Sequence, residues 1–551
     1  MKVKIQVIIE SDDGRVQDVE EVACLKRGTL SPEELGLNLA EAKEILQGVQ
    51  RSMTEHQVGD YTEERINCPC CGQRRVQKGH HPILFRTLFG KLTLNSLRLH
   101  HCDCQPTPSK TFSLLAELLP ERTAPELLYL EAKWCTLLSF GMTFDLLQEV
   151  LPMSEELNVT TLRANLHKVA VWMETELGEE RQNFLESAPH SAPMNSMPEP
   201  KPPLAVALDG AYVHAAGNEE RKERWFEVVV GKSITAANEG KYLGFVLNYD
   251  EKPKRRLYES LRSQGLELGQ PVTFFSDGED TLRQLQMYVS PLSEHILDWF
   301  HITMKLTVIN QMRKSLVGAE PAAWLGEVEK NLESLKWHLW NGNVDQALRL
   351  IDGLKAILDG EQISPERQKL LRTIREFGNY IATNQAYIPD YGDRHRNGER
   401  ISSAFAESAV NQLVSRRMVK QQQMHWTERG AHLLLQVRAQ VMNGDLRNTF
   451  RRWYPGMKAG SEDPIQLVAR TQVGWRGEAE RNPPPPVFFR DSSADSRKPG
   501  SRPDSHGRGV SENRNPRVGR IQISAKRGCA ASSANPKQGK VRVLENRRLC
   551  S

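Results

Sequence analysis

The chain has neither a long apolar run nor a large net charge. Its 551 residues contain no stretch of about 18 consecutive apolar side chains, so the sequence predicts no transmembrane helix. The first residues alternate like a β-strand and lack a signal-peptide cleavage pattern. The formal net charge is only +4, which by itself says little about nucleic-acid binding. We therefore expect a cytoplasmic protein of about two to four domains with no membrane partner.

Positive charge is concentrated at the C-terminal end. Residues 478–551 carry 16 Lys and Arg against 7 Asp and Glu, a net charge of +9, which leaves −5 for the rest. Residues 456–551 are rich in Pro, Ser, Arg and Gly and cannot bury enough apolar surface to fold. This composition predicts a basic disordered tail, either a non-specific DNA-binding arm or the translated remnant of a shifted reading frame. A Pro- and Ser-rich stretch predicts a flexible linker at 186–203.

Cysteine is scarce, and the nine cysteines do not predict a disulfide framework in a cytosolic chain. Cys68 and Cys71 form a C-x-x-C pair, and Cys102 and Cys104 form a C-x-C pair. A hairpin between the pairs would bring four thiolates together, as in a zinc ribbon, so we predict a structural Zn²⁺ site within 61–108. The alternative is a small β-domain with reduced cysteines. The alternative ligands are Cys70, His100 and His101.

Two short apolar runs, 204–209 and 272–277, end in Asp-Gly and predict carboxylates at the exposed ends of buried strands. Asp-Gly alone is also typical of a turn. Further along, a predicted helix carries Glu407. Asp209, Asp277 and Glu407 would repel one another at one point unless a cation lay between them, and Mg²⁺ prefers such oxygen ligands. Two such ions can stabilise the attacking and leaving oxygens of a phosphodiester.

A third apolar run leads into Asp298-Trp-Phe-His301, with Asp298 and His301 at i and i+3 on one helix face. With these residues in this order, the sequence resembles the DDE transposases of bacterial insertion sequences, closest to the ISKra type. More broadly it is similar to the mutator-like and hAT-like transposases. These share an Asp, Asp, (Cys/Asp)-x-x-His, Glu signature with a helical insertion before the Glu. The resemblance covers roughly residues 60–455.

The resemblance implies an α/β chain with a ribonuclease-H-like catalytic core. It implies that Asp209, Asp277 and Glu407 are catalytic and bind two Mg²⁺ or Mn²⁺ ions, with Asp298 and His301 as accessory groups. An Asp–His hydrogen bond that fixes strand to helix is the alternative for that pair. The implied partner is double-stranded DNA, both transposon ends and target, bound by a homo-oligomer in the nucleoid. The alternative function is a catalytically silent DNA-binding regulator derived from such an enzyme.

The remaining segments surround this core. We predict a strand and helix region at 1–60, a helical region at 109–185, the core at 204–302 and 395–455, and a helical insertion at 303–394. The helical region has the outline of a helix-turn-helix, although three-helix bundles without DNA are common. The side chains predicted to be exposed toward a major groove are Arg163, Asn165, His167 and Lys168. The predicted phosphate contacts near Glu407 are Arg400, Arg416 and Arg417, with a solvated charged face as the alternative.

Overall fold

The computed structural model is a mixed α/β protein with sheets of two, three and five strands, which confirms the predicted class. The described residues are 1–10, 16–29, 31–104, 110–152, 158–179, 204–217, 225–267, 270–278, 280–289, 293–318, 321–360, 363–405, 409–419 and 425–457. The predicted linker and nearly all of the predicted tail lie outside them. Within these ranges, no helix combines the length and the apolar character needed to cross a membrane.

The N-terminal residues form a hairpin that packs on a long helix. Strands β1 (Lys2–Glu10) and β2 (Val16–Lys26) pair antiparallel, and α1 (Leu39–Arg65) packs against them. The helix begins with a capping box, in which the Asn38 side chain accepts from the Glu41 N–H and the Glu41 carboxylate accepts from the Asn38 N–H.

A three-stranded antiparallel sheet follows, with β4 in the centre. Its strands are β3 (Gln77–Thr87), β4 (Gly90–His100) and β5 (Thr111–Ser113), and a short helix, α2 (Leu114–Leu118), continues from the last strand. The buried apolar side chains are few: Ile83, Leu94, Leu97, Leu99, Leu114 and Leu115. The predicted hairpin between the two cysteine pairs is therefore present, and its apolar core is small.

The helical region consists of α3 (Pro125–Leu137), α4 (Phe140–Val150) and α5 (Val159–Leu177). Its apolar side chains share one cluster with the central sheet, so these helices are not a separate three-helix bundle. The prediction of an exposed Asn165 is wrong. Asn165 is buried and donates to Glu131 Oε2 at 2.7 Å, because it lies on the face of α5 that packs against α3.

The central sheet has five strands, β6 (Leu204–His214), β7 (Trp225–Ile234), β8 (Gly240–Val246), β9 (Val272–Ser276) and β10 (Glu294–Leu297). Their order is β10-β9-β6-β7-β8. The first three strands form an antiparallel meander, and β9 and β10 add parallel to β6 on its other side. The helices α6 (Pro253–Arg262) and α7 (Asp280–Val289) pack together and cover one face.

The helical insertion packs against the central sheet, and its apolar side chains share one cluster with residues of β6, β7, β9 and β10. It consists of α8 (Trp299–Ser315), α9 (Ala322–Trp340), α10 (Val344–Leu358) and α11 (Pro365–Thr383), followed by the short α12 (Tyr391–Arg396). The first of these helices begins at Trp299 rather than at the predicted boundary of 303, because Asp298 caps it. The Tyr391 hydroxyl donates to the carbonyl oxygen of Leu297 at 2.6 Å and fastens the end of the insertion to β10.

The last described elements cover the edge of the sheet. A π-helix (Val410–Val419) packs on β6, and α13 (Glu428–Met442) and α14 (Leu446–Trp453) follow. Backbone groups at the outer edge of β8 are hydrogen-bonded by side chains of the following elements. Gln436 Nε2 donates to the Gly244 carbonyl at 3.0 Å, and Asn443 exchanges two hydrogen bonds with the Tyr242 backbone. These bonds satisfy backbone groups that would otherwise offer a site for edge-to-edge pairing.

Candidate active site and zinc centre

Three aspartates lie at the same edge of the central sheet. Asp209 is within β6, Asp277 directly follows β9 and Asp298 directly follows β10. In the registers of these parallel strands, Ala207 is opposite Phe275, and Ser276 is opposite Leu297. The same registers extended by one or two residues align Asp209 with Asp277 and Asp277 with Asp298. The carboxyl ends of parallel strands are where α/β sheets commonly bind ligands.

The charges of these residues affect one another. Burial raises the pKa of the Asp209 carboxyl, and the negative charges of Asp277 and Asp298 raise it further, against the opposing effect of His301. The structure thus brings together four of the five residues predicted to form the site. Burial is the largest cause of this shift, and the neighbouring carboxylates add to it.

The Asp298 carboxylate accepts several hydrogen bonds and has a structural role. Its buried side chain caps α8 by accepting from the Phe300 N–H at 2.9 Å. It also accepts from the Ser403 N–H at 3.0 Å and from the Ser403 hydroxyl. His301 Nε2 lies 3.5 Å from Asp298 Oδ2. Asp298 therefore joins β10, α8 and the chain at residue 403, through bonds from Phe300 and Ser403.

The prediction for Glu407 lies outside the described residues. The segments on either side of residues 406–408 both pack against β6, the strand that carries Asp209. On the preceding side, the Phe405 ring meets Phe275 edge-to-face, with 6.2 Å between the ring centroids. On the following side, Leu413 and Val414 belong to the core shared with β6.

The carboxylates have the donor chemistry that Mg²⁺ and Mn²⁺ require, since these ions prefer oxygen ligands. Two groups of three or more ligand side chains have all their ligand atoms within 4.8 Å of one another in the described part of the chain, and Asp209 and Asp277 belong to neither. Among the described residues, Asp209 and Asp277 therefore do not form a three-ligand metal site by themselves.

The first of these two groups is the predicted cysteine set. The Cys68 and Cys104 sulfurs are 3.5 Å apart, and the Cys71 and Cys102 sulfurs are 3.4 Å apart. Four sulfurs at about 2.3 Å from one tetrahedral Zn²⁺ would be about 3.8 Å apart, so these four thiols could hold zinc. The backbone N–H groups of Cys71 and Cys70 lower the pKa of the Cys68 thiol to about 6, whereas hydrogen bonds with Cys68 and Cys102 raise the pKa of the Cys104 thiol. Cys70 is exposed and is not in the group.

The second group, Glu174, Asp250 and His432, could hold a metal by its geometry, and sequence analysis missed it. An arginine lies among these side chains: the Arg256 guanidinium is 2.9 Å from Glu174 and 2.8 Å from Asp250. It also donates to Gln436 Oε1 at 2.6 Å. Because a protein cation already neutralises the two carboxylates, we assign this group as an internal ion-pair network that connects α5, α6 and α13.

The predicted DNA contacts differ in exposure. Arg163 and Arg416 are exposed, and Lys168 forms an ion pair with Glu121 at 2.5 Å. Arg400 is half-buried and donates to Asn238 Oδ1 at 2.5 Å. The prediction that Arg417 contacts phosphate is wrong, because its side chain is fully buried.

Arg417 instead donates a hydrogen bond inside the core. Its Nε donates to the Cys135 carbonyl at 3.1 Å, and Arg438 donates to the neighbouring Thr136 carbonyl. Both carbonyls lie in the last turn of α3, where backbone acceptors lack helical partners and positive charge is favourable. Burial lowers the pKa of Arg417 to about 10.

Comparison with known proteins does not assign the chain to a family. No family model matches the chain, and no curated protein matches it significantly.

Proposed function

We propose that this chain is a DDE-type transposase of a bacterial insertion sequence, built on a ribonuclease-H-like core. The alignment of Asp209 with Asp277 at one sheet edge carries the proposal. The sheet supports it, because an antiparallel three-stranded meander with two further strands parallel to its first strand is the order expected of that core. The helical insertion between β10 and the position of Glu407 supports it as well.

In this proposal, Asp209 and Asp277 are metal ligands and Glu407 completes the set. Bound there, two divalent cations would activate a water or a 3′-OH and stabilise the oxygens of the phosphodiester under attack. Asp298 acts as a positioning residue, since it fastens residue 403 beside β10, four positions before Glu407. His301 lies close enough to Asp209 to lower the pKa of that carboxyl, so it is assigned an accessory role beside the metal ligands.

The proposed partner is double-stranded DNA, both element ends and target, bound by a homo-oligomer in the nucleoid. Arg163 and Arg416 are exposed cations that can contact phosphates, and half-buried Arg400 lies on the chain that leads to residue 403. The four-cysteine site would stabilise a ribbon whose apolar core is small, as structural zinc does in other small folds.

Cleavage of the DNA that flanks the coding sequence tests this function. End-labelled duplexes spanning the two boundaries of the element are incubated with the protein and Mg²⁺ or Mn²⁺. We expect cleavage by the wild type, none by Asp209→Asn or Asp277→Asn, and unchanged DNA binding by both variants. The matched control is Asp352→Asn, which neutralises an exposed carboxylate on α10.

Cleavage that persists in either site variant would refute the assignment of the carboxylates. Wild-type protein that binds these ends without cutting them would instead support the DNA-binding regulator.

A further inference from the structure

The helical insertion touches the sheet at the turn that follows β9. Asn384, the residue directly after α11, is 4% exposed. Its side chain lies against Gly278, which follows Asp277: a Cβ placed on Gly278 would be 2.5 Å from Asn384 Oδ1. Gly278 has a φ of +96°, so both its backbone conformation and this close approach favour glycine. Through Asn384, the insertion therefore reaches the turn that carries Asp277.

Only part of the Asn384 carboxamide is used. Its Nδ2 donates to the Tyr380 carbonyl at 2.9 Å, which distinguishes the nitrogen end of the amide from the oxygen end. Its Oδ1 is buried and accepts no hydrogen bond from the described residues. The side chain also does not cap the short 3₁₀ turn Gln385–Tyr387 that it precedes. A buried acceptor without a donor is costly, so these local contacts do not account for asparagine at this position.

A second polar group on α11 lies near the same carboxylates. The Tyr380 hydroxyl is buried without a hydrogen-bond partner among the described residues. Burial raises the pKa of Tyr380, and the negative charges of Asp277 and Asp298 raise it further. The C-terminal end of α11 and the residue after it thus bring a hydroxyl and an amide oxygen close to the sheet edge where the aspartates align.

We propose that Asn384 is a positioning residue for the metal site of Asp277, and that its Oδ1 accepts a hydrogen bond from a cation-bound water. This inference rests on the proposed function. Mg²⁺ and Mn²⁺ sites usually keep several waters, and each water is a hydrogen-bond donor. Acceptors outside the direct ligand set orient such sites and tune their affinity. The insertion thereby contributes to metal binding through one side chain, in addition to packing beside the sheet.

Mn²⁺ binding to the zinc-loaded full-length chain, followed by electron paramagnetic resonance, tests the inference without DNA or turnover. Asn384→Leu removes the acceptor at similar volume, and we expect about tenfold weaker Mn²⁺ binding. Asn384→Asp keeps an acceptor and adds negative charge, so it should bind Mn²⁺ at least as tightly as the wild type.

The matched control is Asn341→Leu. Asn341 follows α9 in the same insertion and makes the same helix-end bond, from its Nδ2 to the Trp337 carbonyl at 2.9 Å, but it is exposed. This variant should bind Mn²⁺ like the wild type.

Two results would overturn the proposal for Asn384. One is unchanged Mn²⁺ affinity in Asn384→Leu. The other is an equal loss of affinity in Asn384→Leu and Asn384→Asp, which would indicate a packing role for the side chain. If the wild type and Asp277→Asn bind Mn²⁺ equally, the metal site itself is refuted, and the proposed function fails with it.

Discussion

Replacing Asp298 by alanine should loosen the chain that leads to residue 407 while leaving Asp209 and Asp277 in place. Loss of the α8 cap costs about 1 kcal/mol. The two bonds from Ser403 to the carboxylate are worth about 1.5–3 kcal/mol each. Relief of the buried charge offsets part of this sum, so we expect the free energy of unfolding to fall by about 3–5 kcal/mol.

Asp298→Asn is the matched control. The N–H groups of Phe300 and Ser403 both donate to Oδ1, which asparagine retains, and its Nδ2 can donate to the Ser403 hydroxyl. We therefore expect this variant to lose no more than about 1–2 kcal/mol.

Urea unfolding followed by circular dichroism measures the loss of stability, and hydrogen exchange of the peptide containing residues 401–405 locates it. Exchange there should be much faster in Asp298→Ala and close to wild type in Asp298→Asn. End cleavage should fall in parallel. If the two variants lose equal stability, or if exchange at 401–405 does not change in Asp298→Ala, the anchoring role is refuted.

Three further predictions follow from buried or clustered side chains. Metal analysis should find about one tightly bound zinc per chain, less in Cys68→Ser, and an unchanged amount in the control Cys70→Ser; a well-folded zinc-free wild type would contradict this. Arg417→Met should lower the free energy of unfolding by about 1–3 kcal/mol, because the Cys135 carbonyl loses a donor. Arg416, the exposed neighbour of Arg417, should behave differently: Arg416→Met should weaken DNA binding and reduce its salt dependence without a change in stability. If Arg417→Met weakens DNA binding and Arg416→Met instead lowers stability, Arg417 is the DNA contact. Folding raises the pKa of Asp209, so the ionised carboxylate lowers the free energy of unfolding at any pH above the raised pKa. Below the ordinary Asp pKa of about 4 the carboxyl is protonated in both the folded and the unfolded state, and this cost disappears. Metal-free Asp209→Asn should therefore unfold at a higher temperature than the wild type at pH 7, and this difference should shrink on acidification.

Local sequence patterns were sufficient for the elements whose partners are close along the chain. The two cysteine pairs flank a hairpin, so the pairing of β3 with β4 brings the four sulfurs together. The apolar runs that lead to Asp209 and Asp277 are buried strands, as their hydrophobicity predicted. The prediction of an exposed strand end is wrong for Asp209, because β6 continues to His214 and the Asp209 side chain is half-buried. In these cases burial and secondary structure follow from neighbouring residues.

The side chains that sequence analysis misassigned or missed have partners far along the chain. Arg417 resembles a surface cation until α3, 282 residues earlier, presents a carbonyl to it. Arg256 fills a group formed by α5, the turn after β8, and α13, which no spacing motif indicates. Asn384 has no distinguishing pattern, and only the packing of the chain after α11 against the turn after β9 places it beside Gly278, the residue that follows Asp277.

The amino-acid sequence alone therefore determined the α/β class, the cysteine hairpin and the buried strands that lead to Asp209 and Asp277, because hydrophobic periodicity and turn residues act over short distances. The tertiary structure decided which charged and polar side chains are buried and what they contact. A charge leaves water only where other elements supply hydrogen bonds or opposite charge, and for Arg256, Asp298 and Arg417 those elements are brought together only by the complete fold.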